Sequence, residues 1–163
     1  MANHIERPLN FYIITCSDTR KIQDDTAGDA LEELIKARGW KVLSRTVVID
    51  DEDIISMHIE DACDGYHADV VITCGGTGLS LRDVAPEATK RACFREIPGV
   101  AEHLRAHSRT ITPFASLSHA TCGQRGKSLV VNMPGSKKAV VENWEAFEPL
   151  AVHAVSMMRG AGH

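Results

Sequence analysis

The feature that most constrains the fold of this chain is an alternation between short apolar runs and longer segments with helical spacing. Residues 11–16, 41–49, 68–74 and 128–133 are rich in apolar and β-branched side chains, which is typical of strands. The run at 68–74, ADVVITC, is almost entirely apolar, as expected for a strand that is covered on both faces. This order predicts an α/β fold with an open, mostly parallel central sheet and helices on both of its faces.

Between these runs apolar residues recur at helical spacing, and capping residues mark several helix ends. Gly39 is a C-cap signal, Asp50 is the predicted N-cap of the second helix, and Pro86 suits a first helical turn. Helices are predicted to begin near residues 26, 50, 86, 99 and 138.

The composition is that of an ordinary globular protein, and 163 residues fit a single domain spanning 1–163. A net charge of −4 argues against a nucleic-acid partner, because such a protein needs a basic face. No apolar run approaches the roughly 20 residues of a membrane span, and no signal peptide is visible. The five cysteines occur singly, without a CxxC pair, which favours reduced thiols and a cytoplasmic location.

The most informative motif is the glycine-rich stretch CGGTGLSLRDVAPEAT at residues 74–89. Gly75, Gly76, Thr77 and Gly78 follow a strand, so their backbone N–H groups can point into one concavity that binds phosphate. A tight strand-to-helix turn also needs small residues, so the glycines alone leave both interpretations open. The RD and PE pairs that follow favour the phosphate site.

Two carboxylates, Asp50 and Asp83, each follow a predicted strand at the sheet edge where ligands bind in such folds. Beside a phosphate site they suit Mg²⁺, which prefers oxygen ligands and bridges nucleotide phosphates. Asp50 as a helix cap, and Asp83 as an ion-pair partner of Arg82, are the structural alternatives. Asp51 is interpreted as a solvated acid of the first helical turn.

Other candidate sites are weaker. Gly126-Lys127-Ser128 resembles the end of a Walker A loop, but Thr121 occupies the position of its first glycine and a strand follows. His103 and His107 lie one helical turn apart without a third ligand, and are interpreted as surface residues. Cys122 is assigned to a polar loop with no adjacent base to activate it.

The segment NMPGSKKAVVE, residues 132–142, combines a forced turn with a helix start. Pro134 and Gly135 form the turn, and Ser136 can cap the following helix, leaving free N–H groups at its start. An ordinary cap and turn explains the same residues, so the segment alone does not define a binding site.

Together these segments resemble the MoaB/MogA family of molybdenum cofactor biosynthesis proteins, whose relatives include the G domain of gephyrin. The resemblance covers nearly the whole chain, and the short C-terminal part is closer to the MoaB branch. The matching segments are CSDTR at 16–20, DDTAG at 24–28, VVIDDE at 47–52, the glycine-rich stretch, LSHATCGQRG at 117–126 and NMPGSKKAVVE.

The resemblance implies a three-layer αβα fold, a homotrimer or a hexamer of trimers, and Mg²⁺-dependent adenylylation of molybdopterin by ATP with release of pyrophosphate. By motif, Asp50 and Asp83 match the catalytic, metal-binding acids of the family. The implied substrate- and nucleotide-binding positions are Ser17, Asp18, Gly75, Gly76, Thr77, Gly78, Ser118, Pro134, Gly135 and Ser136.

Three departures from the family pattern keep a second function open, that of a pterin-binding carrier or scaffold without catalytic activity. Ile49 replaces a common proline. Ala85 replaces a common threonine that would cap a helix. His119 replaces a common arginine, which weakens the expected phosphate affinity because a neutral imidazole does not provide a bidentate cation. Retention of both Asp50 and Asp83 favours the enzyme.

Overall fold

A mixed, mostly parallel sheet forms the centre of the molecule, for which a computed structural model describes residues 7–160. Within these residues its spatial order is β2-β1-β3-β6-β5-β4. The first four strands of that order run parallel, whereas β5 is antiparallel to β6 and β4 is antiparallel to β5. The strands are β1 (Asn10–Cys16), β2 (Lys41–Val48), β3 (Val70–Cys74), β4 (Arg95–Glu96), β5 (Cys122–Arg125) and β6 (Ser128–Met133).

Helices cover both faces of the sheet, which confirms the predicted three-layer αβα architecture. Alternation along β1 directs Phe11 and Ile13 into one apolar layer and Tyr12 and Ile14 into the other. The first layer lies beneath α1, α4 and α5, and the second lies beneath α2 and α3. The helices are α1 (Thr26–Ala37), α2 (Glu52–Glu60), α3 (Ala85–Ala92), α4 (Pro98–Arg109) and α5 (Lys137–Met158).

Shorter helical turns extend or connect these elements, at Ile22–Asp24, Asp61–Gly65 and Pro113–Leu117. Among the helices of residues 7–160, none is long and apolar enough to cross a membrane.

The antiparallel edge of the sheet was not predicted, and it corrects the assignment of Cys122 to a polar loop. Cys122 begins β5, pairs with Val131 of β6 and is fully buried. Burial raises the pKa of its thiol, which keeps the sulfur protonated and unreactive. The sequence CGQR has neither the length nor the alternation of a strand, so only its pairing with β6 reveals it. Gly126, at φ +57°, lies in the turn between the two strands. The Gly126-Lys127-Ser128 segment therefore leads into strand β6, and not into a helix as in a Walker A loop, which confirms the prediction.

A buried ion cluster explains the DDTAG segment as a structural feature. Asp25, which is fully buried, caps α1 by accepting from the N–H of Gly28 at 3.0 Å. Its other carboxylate oxygen accepts from Thr15 Oγ1 at 2.8 Å and pairs with Arg45 at 3.1 Å. A Cβ at position 28 would lie 2.1 Å from that oxygen, so the position requires glycine. The cluster joins β1, β2 and α1.

We expect Arg45→Gln to lower the free energy of unfolding by about 3–5 kcal/mol, because it leaves the buried Asp25 carboxylate without its cation. Urea denaturation measures this change. Lys90→Gln is the control, since it breaks an exposed pair with Glu96 that contributes at most about 1 kcal/mol. Equal losses in the two variants would contradict a special role for the buried cluster.

Candidate functional site

The loops that follow β1, β3 and β6 meet in direct backbone contact at the carboxyl edge of the sheet. The N–H of Gly75 donates to the carbonyl oxygen of Met133 at 3.0 Å. A Cβ at Gly75 would lie 2.6 Å from the carbonyl oxygen of Cys16, and one at Gly135 would lie 3.2 Å from the Cα of Gly75. A side chain therefore has no room at position 75 and would fit only tightly at position 135, and glycine allows the three loops to converge.

The glycine loop, residues 75–78, presents free backbone donors. Gly75 and Gly76 adopt φ values of +97° and +68°, in the left-handed region that glycine enters without strain. Within residues 7–160, the N–H groups of Gly76, Thr77 and Gly78 have no hydrogen-bond acceptor. Successive unpaired N–H groups at a strand-to-helix turn form a ready anion site.

Asp50 and Asp83 both lie beside the glycine loop, although 33 positions separate them in the sequence. A Cβ at Gly76 would lie 3.4 Å from Asp50 Oδ1, and one at Gly78 would lie 2.9 Å from Asp83 Oδ2. The N–H of Ser80 donates to Asp83 Oδ2 at 3.0 Å, which fixes the orientation of that carboxylate. The structure therefore brings together the two acids and the glycine loop that the sequence singled out.

The carboxylate of Asp50 is in an unfavourable electrostatic environment. Burial raises its pKa above the usual value, and the negative charges of Asp18 and Asp83 raise it further. Its Oδ1 is buried and has no hydrogen-bond donor within residues 7–160. A buried oxygen without a partner is costly, and a cation at this point would satisfy it.

The residues present fit a cation that takes some of its ligands from the protein and the rest from a substrate. No group of three or more His, Cys, Asp or Glu side chains able to hold a metal occurs among residues 7–160. Two carboxylates beside unpaired N–H groups instead suit Mg²⁺, which is typically held by one or two carboxylates together with substrate phosphates.

Helix starts at the site differ by one residue from the prediction. Asp51, not Asp50, caps α2 by accepting from the N–H of Ile54 at 3.0 Å, so Asp50 is free to face the glycine loop. Likewise, α3 begins at Ala85 with Val84 in the N-cap position. A threonine at position 85 would therefore not be the N-cap.

Arg82 is a candidate that the sequence analysis missed. It pairs with Asp18 through two hydrogen bonds of 2.9 and 3.0 Å, not with the adjacent Asp83. Arg82 holds the pKa of Asp18 below its usual value, and the N–H of Asp50, which donates to the same carboxylate, adds to this effect. The pair places an exposed guanidinium beside the glycine loop. The RD dipeptide of the glycine-rich motif could have indicated Arg82, but the sequence analysis gave a binding role only to its aspartate.

Ser17 and Ser136 shape the neighbouring loops. Ser17 Oγ accepts from the N–H of Arg20 at 3.0 Å, and Arg20 in turn donates to the carbonyl oxygen of Gly135 at 2.6 Å. Ser136 caps α5 by accepting from the N–H of Ala139 at 3.2 Å, as predicted. Arg20 thereby ties the β1 loop to the β6 loop, a link that no local sequence pattern indicated.

A cavity of about 520 Å³ opens beside the glycine loop. Thr77 and Gly78 contribute both to the loop and to the cavity wall, so the two sites are continuous. Ser118 and Pro134, both predicted as binding positions, also line it. The remaining lining is mainly apolar with a few polar side chains, and includes Leu104, Arg105, Phe114, Leu117, Asn132, Glu142 and Asn143. The lining residues from α4 and α5 were not predicted, because the sequences of those helices show only the apolar and polar spacing of ordinary amphipathic helices.

Comparison with known proteins gives consistent results. Molybdopterin adenylyltransferase of Helicobacter pylori strain J99 is 36% identical over 156 residues, covering 93% of this chain and 89% of that protein. Molybdenum cofactor biosynthesis protein B of Bacillus cereus is 41% identical over 133 residues, covering 78% and 77%. The crystal structure of the molybdopterin biosynthesis enzyme MoaB from Thermus thermophilus superimposes with a TM-score of 0.85 at 36% identity, covering 93% of this chain and 97% of that one.

The match to a known family spans most of the chain. Residues 12–153, from β1 to the later turns of α5, match the family described as "Probable molybdopterin binding domain". This range contains the glycine loop, both carboxylates and the cavity. The chain therefore belongs to the molybdopterin-binding domain family of molybdenum cofactor biosynthesis proteins.

Proposed function

We propose that this protein is a Mg²⁺-dependent molybdopterin adenylyltransferase of molybdenum cofactor biosynthesis. It transfers the adenylyl group of ATP to the terminal phosphate of molybdopterin and releases pyrophosphate. The observation that carries the proposal is the juxtaposition of three unpaired loop N–H groups with the carboxylates of Asp50 and Asp83. The names of the similar proteins, which include molybdopterin adenylyltransferase, support the same reaction.

The glycine loop binds phosphate in this proposal. The N–H groups of Gly76, Thr77 and Gly78 donate to phosphate oxygens, and the positive N-terminal end of α3 adds a favourable field. Arg82 supplies a cation beside the glycine loop and can exchange Asp18 for a phosphate, because both partners are exposed. Positioning and charge neutralisation of this kind account for most of the catalysis in phosphoryl-type transfer.

Asp50 and Asp83 would hold Mg²⁺. When bound, this ion supplies the positive charge that stabilises the departing pyrophosphate. The unpaired Oδ1 of Asp50 supports this role, since it is a buried anionic oxygen to which no group of residues 7–160 donates. The N–H of Ser80 holds the other carboxylate, that of Asp83, in place beside Gly78.

The cavity provides the molybdopterin site in this proposal. Its volume of about 520 Å³ is in the range of small-molecule pockets, and its apolar walls suit the flat ring system of a pterin. Arg105, Glu142 and Asn143 are polar groups that can fix the orientation of the ring. Because Thr77 and Gly78 border the cavity, a pterin seated there has its phosphate beside the nucleotide.

Assembly and location complete the proposal. Several large apolar side chains near the site are exposed, among them Leu81 at 97% and Phe114 at 76%, which supports a homo-oligomer such as a trimer or hexamer. All five cysteines are free thiols, which supports a reducing, cytoplasmic environment.

We expect Asp83→Asn to reduce pyrophosphate release from ATP and molybdopterin by about 10²–10³-fold, because it removes charge that positions the metal at the transition state. A coupled pyrophosphate assay measures the rate. Asp53→Asn is the matched control, since it changes an exposed acid in the first turn of α2 and should retain activity.

The same assay separates the enzyme from a carrier. Pyrophosphate release by the wild type supports the adenylyltransferase. Tight pterin binding with no pyrophosphate above a blank, and no binding of Mg-ATP in a calorimetric titration, would instead establish a non-catalytic pterin carrier.

We expect Asp50→Asn to abolish activity while leaving the protein at least as stable as the wild type at pH 7. A raised pKa means that the folded state favours the protonated acid, so ionised Asp50 destabilises the fold above that pKa. The destabilisation disappears as pH falls through the raised pKa, and the difference in stability between variant and wild type should shrink with it. Thermal unfolding without metal, at pH values from 7 to about 4, measures the difference. A less stable variant at pH 7 would show that Asp50 has a structural role.

A further inference from the structure

His119 connects the glycine loop to helix α3. Its backbone N–H donates to the carbonyl oxygen of Thr77 at 3.0 Å, and its ring Nδ1 lies 2.9 Å from the same oxygen. The other ring nitrogen, Nε2, lies 2.9 and 3.2 Å from the two carboxylate oxygens of Glu87. Both nitrogens of the ring face acceptors within the protein, so a neutral ring donates to one of them and a protonated ring donates to both.

Holding the carbonyl group of Thr77 in one orientation also orients the N–H of Gly78, a hydrogen-bond donor of the glycine loop. The peptide unit between Thr77 and Gly78 is planar and trans, so its N–H points opposite to its C=O. The backbone N–H of His119, together with its ring Nδ1 when that nitrogen carries a proton, holds that C=O on one side, and the N–H of Gly78 must then point to the other. This N–H is one of the three that have no acceptor within residues 7–160. Without the His119 ring, only the backbone hydrogen bond from residue 119, among those of residues 7–160, holds the peptide plane of this glycine-flanked residue.

The far end of this connection is attached to a rigid part of the fold. Glu87 lies in the first turn of α3, and Thr89 of the same helix accepts from Asn132 Nδ2 at 2.9 Å. Asn132, which is 1% exposed, also donates to Thr73 Oγ1 at 2.7 Å. The helix that holds the Glu87 end is thus hydrogen-bonded to the two central strands β3 and β6.

We propose that His119 is a positioning residue that, together with Glu87, pre-orders the glycine loop for the triphosphate of Mg-ATP. The proposal rests on the proposed function, and it assigns to His119 an indirect role instead of a phosphate contact. Pre-ordering lowers the conformational cost of binding, so loss of the connection weakens nucleotide binding more than it slows the chemical step.

Amide substitutions separate the two contacts of the ring. The amide nitrogen of asparagine occupies about the place of Nδ1, and that of glutamine occupies about the place of Nε2. We expect His119→Ala to raise the Kd and KM for Mg-ATP about tenfold, with kcat changed much less. His119→Asn should recover most of the affinity because it keeps the donor to Thr77, whereas His119→Gln and Glu87→Gln should show intermediate losses.

Glu145→Gln provides the matched control. Glu145 is an exposed acid of α5 that lies 3.7 Å from the half-buried His107 of α4, and both residues are outside the cavity lining. Its Kd for Mg-ATP should equal that of the wild type. An equal loss in this variant and in His119→Ala would overturn the proposal.

Amide hydrogen exchange tests the connection without nucleotide. His119→Ala should accelerate exchange of the Ala85 N–H, which closes the loop onto the carbonyl oxygen of Gly76, by about tenfold. Exchange of the Leu129 N–H, bonded to Asp69 at the opposite end of the sheet, should not change.

These measurements distinguish the two proposals. If the wild type fails to bind Mg-ATP, the proposed function fails, and the exchange rates alone decide the role of His119. If Ala85 exchanges at the wild-type rate in His119→Ala, or if melting temperature falls while Kd and exchange stay unchanged, the positioning role is wrong.

Discussion

The geometry of the site depends on the close approach of three backbone segments at the carboxyl edge of the sheet. Gly75 contacts the end of β1 and the turn after β6 so closely that a Cβ at position 75 would lie 2.6 Å from the carbonyl oxygen of Cys16. This contact sets where the glycine loop begins. From this point the loop runs past Asp50 and Asp83, whose carboxylates lie next to Gly76 and Gly78.

The acidic side chains at this edge are only partly compensated by cations and hydrogen-bond donors of the described residues. The negative charges of Asp18 and Asp83 raise the pKa of Asp50, while Arg82 pairs with Asp18. Asp50 retains a buried oxygen to which no group of residues 7–160 donates. By contrast, Asp25 and Asp69 are buried acids whose oxygens accept hydrogen bonds from the chain itself. In the proposed function, this difference separates acids that stabilise the fold from an acid that binds the metal.

A similar separation applies to the sequence motifs. DDTAG serves the fold, because Asp25 caps α1 and joins two strands through Thr15 and Arg45. The glycine loop serves the site, because three of its N–H groups find no acceptor in the described part of the chain. The LSHATCGQRG segment does both: Cys122 starts a buried strand, while His119 reaches back to the glycine loop and to Glu87. A family motif is therefore not by itself a set of binding residues.

The sequence by itself determined the α/β class, the four parallel strands and the candidate roles of the glycine loop, Asp50 and Asp83. These are local signals: apolar periodicity, glycine at a strand end, and acids next to strands. Tertiary structure alone decided that Asp51 and not Asp50 caps α2, that Cys122 lies in a buried antiparallel strand, and that Arg82 pairs with Asp18. It also decided that His119 holds Thr77 and Glu87. The Asp51 cap is a local contact with Ile54, for which Asp50 was an equally suitable residue type. The others depend on which segment a strand or side chain meets, and sequence spacing carries no information about a partner that only the folded chain brings near.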